Sequence, residues 1–211
     1  MAKQLAFYFN ASACAGCKAC QVACQDKNNL PFTMRWRRVF QYGGGSWVAD
    51  ANDSTLMRPN NIYVYSLSTA CNHCENPACV SACPAGAMTK RADGVVLVNQ
   101  DQCIGCRYCE WACPYGAPQF NEAKGVMTKC TFCEDLLAQG QNPACVDACV
   151  MRAIKFGELS DLRAKYGNLM DVEPLPASWI THPSVVITPH KHAQMSGQGT
   201  GRILNLPEEL S

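Results

Sequence analysis

The sequence predicts an α+β protein: two modules of similar build, interrupted by a β-hairpin insertion and followed by an extended C-terminal tail. Three observations lead there. Sixteen cysteines fall into four sets of four with none left over. Short β-branched and aromatic runs between the sets read as strands bounded by turns. From Pro174 onward cysteine disappears while proline and glycine recur. A chain of 211 residues, 48% of them hydrophobic, buries one large core or two small ones, so disorder does not dominate. With 18 basic against 17 acidic side chains, the formal charge of +1 gives no reason to expect nucleic acid as a partner.

Spacing carries the chemistry. The first set (Cys14, Cys17, Cys20, Cys24) and the third (Cys103, Cys106, Cys109, Cys113) read C-x2-C-x2-C-x3-C. The second (Cys71, Cys74, Cys79, Cys83) reads C-x2-C-x4-C-x3-C, and the fourth (Cys130, Cys133, Cys145, Cys149) C-x2-C-x11-C-x3-C. Four related units imply an internal repeat. In bacterial ferredoxins the first pattern wraps three close thiolates around one [4Fe-4S] cube, while the fourth thiolate ligates the neighbouring cube. A tight glycine-containing loop (Ala15-Gly16, Ile104-Gly105) lets each of three thiolates reach one iron, and the x3 step suits the first turn of a helix heading away. Pro84 and Pro114, directly after Cys83 and Cys113, end the local helix. Gln25 and Val150 stand there in sets one and four.

Disulfides need an oxidising compartment and do not favour repeated x2, x2, x3 triplets. Structural zinc suits set four taken alone, but not in the company of two ferredoxin runs. Cysteine as a small buried hydrophobe explains none of the spacing. Cys83 and Cys103 are 20 positions apart, room for two half-motifs to fold together across a turn at 91–94 and a strand at 95–98. Sets one and four then form the outer pair. Four [4Fe-4S] clusters follow: A on Cys14, Cys17, Cys20 and Cys149; B on Cys130, Cys133, Cys145 and Cys24; C on Cys71, Cys74, Cys79 and Cys113; D on Cys103, Cys106, Cys109 and Cys83.

The fold expected is therefore two pseudo-symmetric bacterial-ferredoxin-like modules. Residues 1–29 and 125–173 make the outer module (sets one and four), 66–124 the inner (sets two and three), and 30–65 a β-rich insertion. Residues 5–9 and 153–156 are short strands that flank the outer sets and can pair with each other. Within the insertion, strands are expected at 35–42 and 62–68, separated by Gly43-Gly44-Gly45 and a polar, turn-rich stretch. Residues 158–166 form a short surface helix stopped by Gly167. The tail, 174–211, cannot build a core of its own and is expected to lie extended along a partner subunit. No export signal is legible in the first ten residues, and no apolar run approaches the roughly 18 residues of a spanning helix. Membrane attachment would depend on another chain.

Among other side chains, Arg35, Arg37 and Arg38 around Trp36 read as a solvated or subunit-facing strand surface. His73, His190 and His192 read as neighbours or exposed groups, not ligands, since every cube already has four thiolates. Lys18, Arg107, Lys129 and Arg152 lie in or beside the motifs, where cationic neighbours raise a cluster's reduction potential. Tyr108, Trp111 and Tyr115 are expected to shield a cube from water. No nucleophile triad, phosphate loop or dinucleotide fingerprint is present, so no catalytic residue is assigned.

The sequence resembles the four-cluster iron-sulfur (beta) subunit of the dimethyl sulfoxide reductase family of molybdenum oxidoreductases over nearly its whole length. The matching stretches are CAGCKACQVAC (14–24), RRVFQYGGGSW (37–47), SLSTACNHCENPACVSACPAGAM (66–88), DQCIGCRYCEWACPYGAPQFNEAKGVMTKC (101–130) and PLPASWITHPSVVITP (174–189). The resemblance implies an electron-transfer subunit without catalysis of its own. Its implied partners are a catalytic subunit carrying a molybdopterin cofactor and an integral-membrane subunit that oxidises quinol. Some relatives have a non-cysteine residue in the third motif and a [3Fe-4S] centre; Cys106 implies four [4Fe-4S] clusters here. Export together with the catalytic subunit, to the periplasmic or extracytoplasmic face, is also implied. Two alternatives stand beside this: the same relay in a formate, thiosulfate, polysulfide or arsenate enzyme, and a structural zinc-binding interaction module.

Overall fold

The computed structural model describes residues 3–210; residues 1–2 and 211, at the ends of the predicted outer module and tail, lie outside the description. Strand β1 (Leu5–Asn10) is apolar on both faces, which fits it for the centre of a covered sheet. It is followed by α1 (Ala19–Lys27), β2 (Arg38–Ala49), β3 (Met57–Thr69), α2 (Ala78–Ser81), β4 (Met88–Lys90), β5 (Val96–Val98) and α3 (Tyr108–Ala112). Then come β6 (Gln119–Asn121), β7 (Val126–Thr128), α4 (Glu134–Ala138), α5 (Ala144–Asp147), β8 (Ile154–Glu158) and α6 (Leu159–Tyr166). A 3-10 turn (Ser178–Ile180), β9 (Val185–Thr188), β10 (Arg202–Ile203) and α7 (Leu206–Leu210) complete the described residues.

The first sheet has the order β8-β1-β9. β1 runs antiparallel to β8, with Phe9 opposite Ile154, so the two strands expected to flank the outer sets do pair. Ala6 and Tyr8 turn toward Leu159 and Leu162 of α6, which covers that face. Phe7 and Phe9 turn the other way, into a core that also holds Phe132, Ile154, Cys20, Cys145 and Cys149. The cysteines thus lie on the face of the sheet opposite the helix.

The tail does not extend away from the rest of the fold. β9 adds parallel to β1 with Phe7 opposite Val185, and Val185, Val186 and Ile187 are all buried. β10 pairs with β2, Ile203 opposite Tyr42. Two stretches of the tail expected to lie on a partner, Val185–Thr188 and Arg202–Ile203, thus pair within the protein's own sheets. β1 would otherwise expose a second edge, and the apolar Val185-Val186-Ile187 run fills it with both faces sheltered.

The insertion is also longer in its strands than expected. β2 and β3 form one hairpin whose outer half is exposed, and Gly43–Gly45 lie inside β2 instead of separating strands. The pairing shifts between Gly44 and Ser46, a glycine-bearing bulge. Gly45 has φ +99°, and a Cβ there would come within 2.4 Å of the Asn61 carbonyl oxygen, so glycine is required. The β4–β5 hairpin turns at Gly94 (φ +83°), with the Arg91 N–H donating to the Val95 carbonyl. The β6–β7 hairpin crosses the expected boundary between residues 124 and 125, which joins Val126–Thr128 to the strand that follows set three.

Candidate metal centre

Each of the four sets begins with the same loop. In the first C-x2-C pair of each set the residue just before the second cysteine is left-handed: Gly16 at φ +69°, His73 at +44°, Gly105 at +68° and Phe132 at +61°. Two of these are not glycine, so packing holds them there: His73 and Phe132 are both buried and meet edge to face at 5.2 Å. Alternation of left- and right-handed residues turns successive backbone N–H groups into one concavity, the arrangement that receives anionic groups and iron-sulfur centres. Further donors already meet sulfur. The N–H of Phe132 donates to Cys130 Sγ (3.4 Å), that of Ala153 to Cys149 Sγ (3.2 Å) and that of Met127 to Cys103 Sγ (3.4 Å).

Helices carry the next cysteines. Cys20, Cys79, Cys109 and Cys145 sit on α1, α2, α3 and α5. Helix α1 runs on to Lys27 and so includes Cys24, whereas α2 and α3 stop before Cys83-Pro84 and Cys113-Pro114. α5 also stops early although no proline follows Cys149, so proline is not the only way to end this turn. α1 packs on α5 and α2 on α3, which brings the last cysteine of each set beside its partner set.

Three cavities result. One is lined by Cys14, Cys17, Cys20 and Cys149, another by Cys71, Cys74, Cys79 and Cys113, and a third by Cys83, Cys103, Cys106 and Cys109. Their empty volumes, solvent at the mouth included, are close to one another at about 320, 370 and 300 Å³. The remaining four, Cys24, Cys130, Cys133 and Cys145, are all buried and act electrostatically on each other: Cys24 feels Cys145 and Cys133, and Cys130 feels Cys24. The four groups adjoin one another in the order A, B, C, D. Cys20 and Cys24 of one helix join A to B, Cys130 lies against Cys71 between B and C, and Cys79 and Cys109 share a small core between C and D.

The donor set fits a polynuclear iron-sulfur group. All sixteen cysteines are free thiols, and none forms a disulfide. Burial pushes the thiols of Cys24, Cys74 and Cys79 up to about 12 and that of Cys109 to about 11, with neighbouring sulfurs adding to the rise. Such thiols stay protonated near neutrality unless a multiply charged metal group draws the proton off. Four thiolates around one zinc at about 2.3 Å must stand very close together. Among the described residues, no three of His, Cys, Asp and Glu converge on a single ion in that way.

Cations near the sulfurs divide by environment. Lys18 is tied to Glu208 and Glu209 of α7 at 2.9 and 2.8 Å, and Arg107 to Glu110 at 2.7 Å, so their charges are largely answered. Arg152 donates to the Asp147 and Cys149 carbonyls at the surface. Lys129 differs: it is 2% exposed, donates to the Val96 and Cys130 carbonyls, and lies near Cys79, Cys113 and Cys130. The sequence reading missed Arg37, which is 3% exposed and not a surface group. Counting back by two from the buried Val39 along the strand direction puts Arg37 on the inward face, a signal that was available. His73 is fully buried; its Nδ1 accepts from the Val96 N–H, and burial beside Lys129 keeps it neutral. Tyr115 lines site C, but Tyr108 and Trp111 are 51% and 75% exposed and shield nothing. They sit on the solvent side of α3, whose inward face is taken by Cys109.

Comparison with known proteins also points to iron-sulfur chemistry. Residues 62–159 match the family model of the 4Fe-4S dicluster domain. The sequence is 48% identical over 210 residues to the B chain of anaerobic dimethyl sulfoxide reductase from Shigella flexneri, covering all of both proteins. It is 36% identical over 195 residues to the B chain of polysulfide reductase from Wolinella succinogenes, covering 90% of this protein and 97% of that one. To the B subunit of sulfite dehydrogenase from Allochromatium vinosum it is 38% identical over 168 residues, 75% of this protein and 70% of that one. The protein belongs to the family of iron-sulfur electron-transfer subunits of dimethyl sulfoxide reductase and its related oxidoreductases.

Proposed function

We propose that sites A to D each hold one [4Fe-4S] cluster and that the protein relays electrons along them. The relay runs from a quinol-oxidising membrane subunit to a molybdopterin catalytic subunit that reduces dimethyl sulfoxide or a related S- or N-oxide. The observation that carries this reading is the exchange of cysteines: each four-sulfur group takes three from one set and one from its partner set, the sharing that links two cubes in a ferredoxin. On this reading A with B and C with D are two ferredoxin-like modules, joined where Cys130 meets Cys71. A cube bound at each site supplies one-electron storage. The protein supplies the thiolates, N–H donors aimed at sulfur, and burial that keeps water away.

Both ends of the row suit entry and exit of electrons. Around site A, Cys17 is exposed, as are Val22, Val150 and Met151; around site D, Ile104, Tyr108 and Trp111 are exposed. Such apolar surface at the two ends supports contact with two different subunits. No helix among the described residues is long and apolar enough to cross a membrane, and the protein is read as held at the membrane by its anchor partner, on the extracytoplasmic face. The sulfoxide assignment is favoured over a polysulfide or sulfite enzyme by the higher identity and complete coverage of the dimethyl sulfoxide reductase relatives.

The test is the assembled complex carrying Cys20→Ala or Cys109→Ala. Either variant is expected to abolish quinol-linked reduction of dimethyl sulfoxide while an artificial donor still drives the catalytic subunit. Retention of quinol-linked turnover in both would overturn the relay.

A further inference from the structure

Arg37 is a cation buried without a carboxylate. Its guanidinium lies over the Phe7 ring at 4.8 Å, and the charged groups that act on it are four sulfurs: Cys145 most strongly, then Cys20, Cys130 and Cys24. Nη1 donates to the Ser68 hydroxyl at 3.0 Å and more weakly to the Ser68 carbonyl at 3.5 Å. Nη2 is buried with no hydrogen-bond partner among the described residues. A buried charge with no counter-charge is strongly destabilising, so anions in the sulfur sites are what make this placement tolerable.

Ser68 extends the contact. It is buried, and its Oγ lies 3.3 Å from Cys20 Sγ. Because Oγ already accepts from Arg37, its own O–H is left to donate to the Cys20 sulfur. Cys20 belongs to site A and Cys145 to site B, so a single guanidinium reaches both.

We propose that Arg37 is a positioning residue shared by sites A and B. Its fixed charge acts on B across Cys145 and on A through the Ser68 hydroxyl, and it favours the reduced state of the cluster in each. This rests on the reading that A and B hold [4Fe-4S] clusters. A positive charge and donors to sulfur stabilise the more negative, reduced cluster and so raise its potential. At Cys109 of site D, by contrast, what acts on the sulfur is burial, neighbouring sulfurs and its own backbone.

The experiment is a potentiometric titration followed by low-temperature spin resonance on the anaerobically purified complex, comparing wild type with Arg37→Met, Arg37→Lys and Ser68→Ala. Arg37→Met is expected to lower two of the four midpoint potentials, each by roughly tenfold in the reduced-to-oxidised ratio at fixed ambient potential, or about 59 mV for a one-electron couple. Ser68→Ala is expected to lower only one of those two, and Arg37→Lys to shift both by less than methionine does. The proposal is overturned if Arg37→Met leaves all four potentials in place or moves all four alike. It is equally overturned if Ser68→Ala moves a signal that Arg37→Met does not. Should Arg37→Met fail to assemble, Ser68→Ala decides: no shift in any signal overturns the proposal. A wild-type complex without cluster signals refutes the cluster reading itself, an outcome distinct from unshifted variants.

Discussion

Ile187→Ala tests whether the tail strand belongs to this protein's own core. Ile187 is 2% exposed, stands opposite Phe9 in the parallel β1–β9 pairing and belongs to the core that contains Phe7, Phe132 and Cys149. The substitution removes three carbons, about 2.4 kcal/mol of transfer at ~0.8 kcal/mol per buried methylene. The cavity left behind raises this to about 3 kcal/mol, inside the range of about 2–5 for such truncations. With a urea m-value of about 2.5 kcal/mol/M for a protein of this size, the midpoint falls by about 1.2 M. The assay is urea unfolding of anaerobically purified protein followed by tryptophan fluorescence, with Val150→Ala as the control. Val150 is 73% exposed, and its truncation is expected to cost less than about 0.5 kcal/mol. A midpoint for Ile187→Ala no further from wild type than the control's would refute the packing of the tail strand on β1.

Other outcomes follow from the same geometry. Cys24→Ala is expected to remove the cluster of site B although Cys24 lies in the first motif, lowering iron by about four atoms per chain and deleting one spin-resonance signal; loss of the signal that Cys20→Ala deletes would contradict the exchange. Gly105→Ala is expected to destabilise by well over the ~1–2 kcal/mol of a left-handed non-glycine residue, because its Cβ would meet the Gly125 carbonyl oxygen at 2.5 Å. Gly86→Ala, also left-handed but in open space, should cost only the conformational part, and equal melting temperatures for the two would refute the clash. Lys129→Met is expected to lower the potentials of sites B and C, whereas Lys18→Met, whose charge Glu208 and Glu209 already answer, should shift little; the same redox titration reads both.

The close cysteines of the first and third sets were legible as shared ligands because their spacing is a local property: three on one loop can each reach a single centre, with the fourth a helical turn beyond. β1 and β8 were legible for the same reason, being short apolar runs at the two ends of the outer sets. The tail was not. Val185-Val186-Ile187 reads equally as a strand for a partner or for its own fold, and only the vacant edge of β1 decides. Gly43–Gly45 read as a breaker because glycine usually is one, yet here close approach to Tyr63 and Asn61 requires it within a strand. Arg37 was misread because charge normally marks a surface. Its inward position makes sense only once Cys20, Cys24, Cys130 and Cys145 are brought around it by residues more than a hundred positions apart.

The most direct measurement is iron, sulfide and zinc per chain in anaerobically purified protein, with low-temperature spin resonance after dithionite. Four cubes predict about sixteen iron and about sixteen sulfide, negligible zinc, and overlapping signals from several interacting reduced clusters. About half that iron with zinc making up the remainder, or no signal after reduction, would contradict a row of four electron carriers.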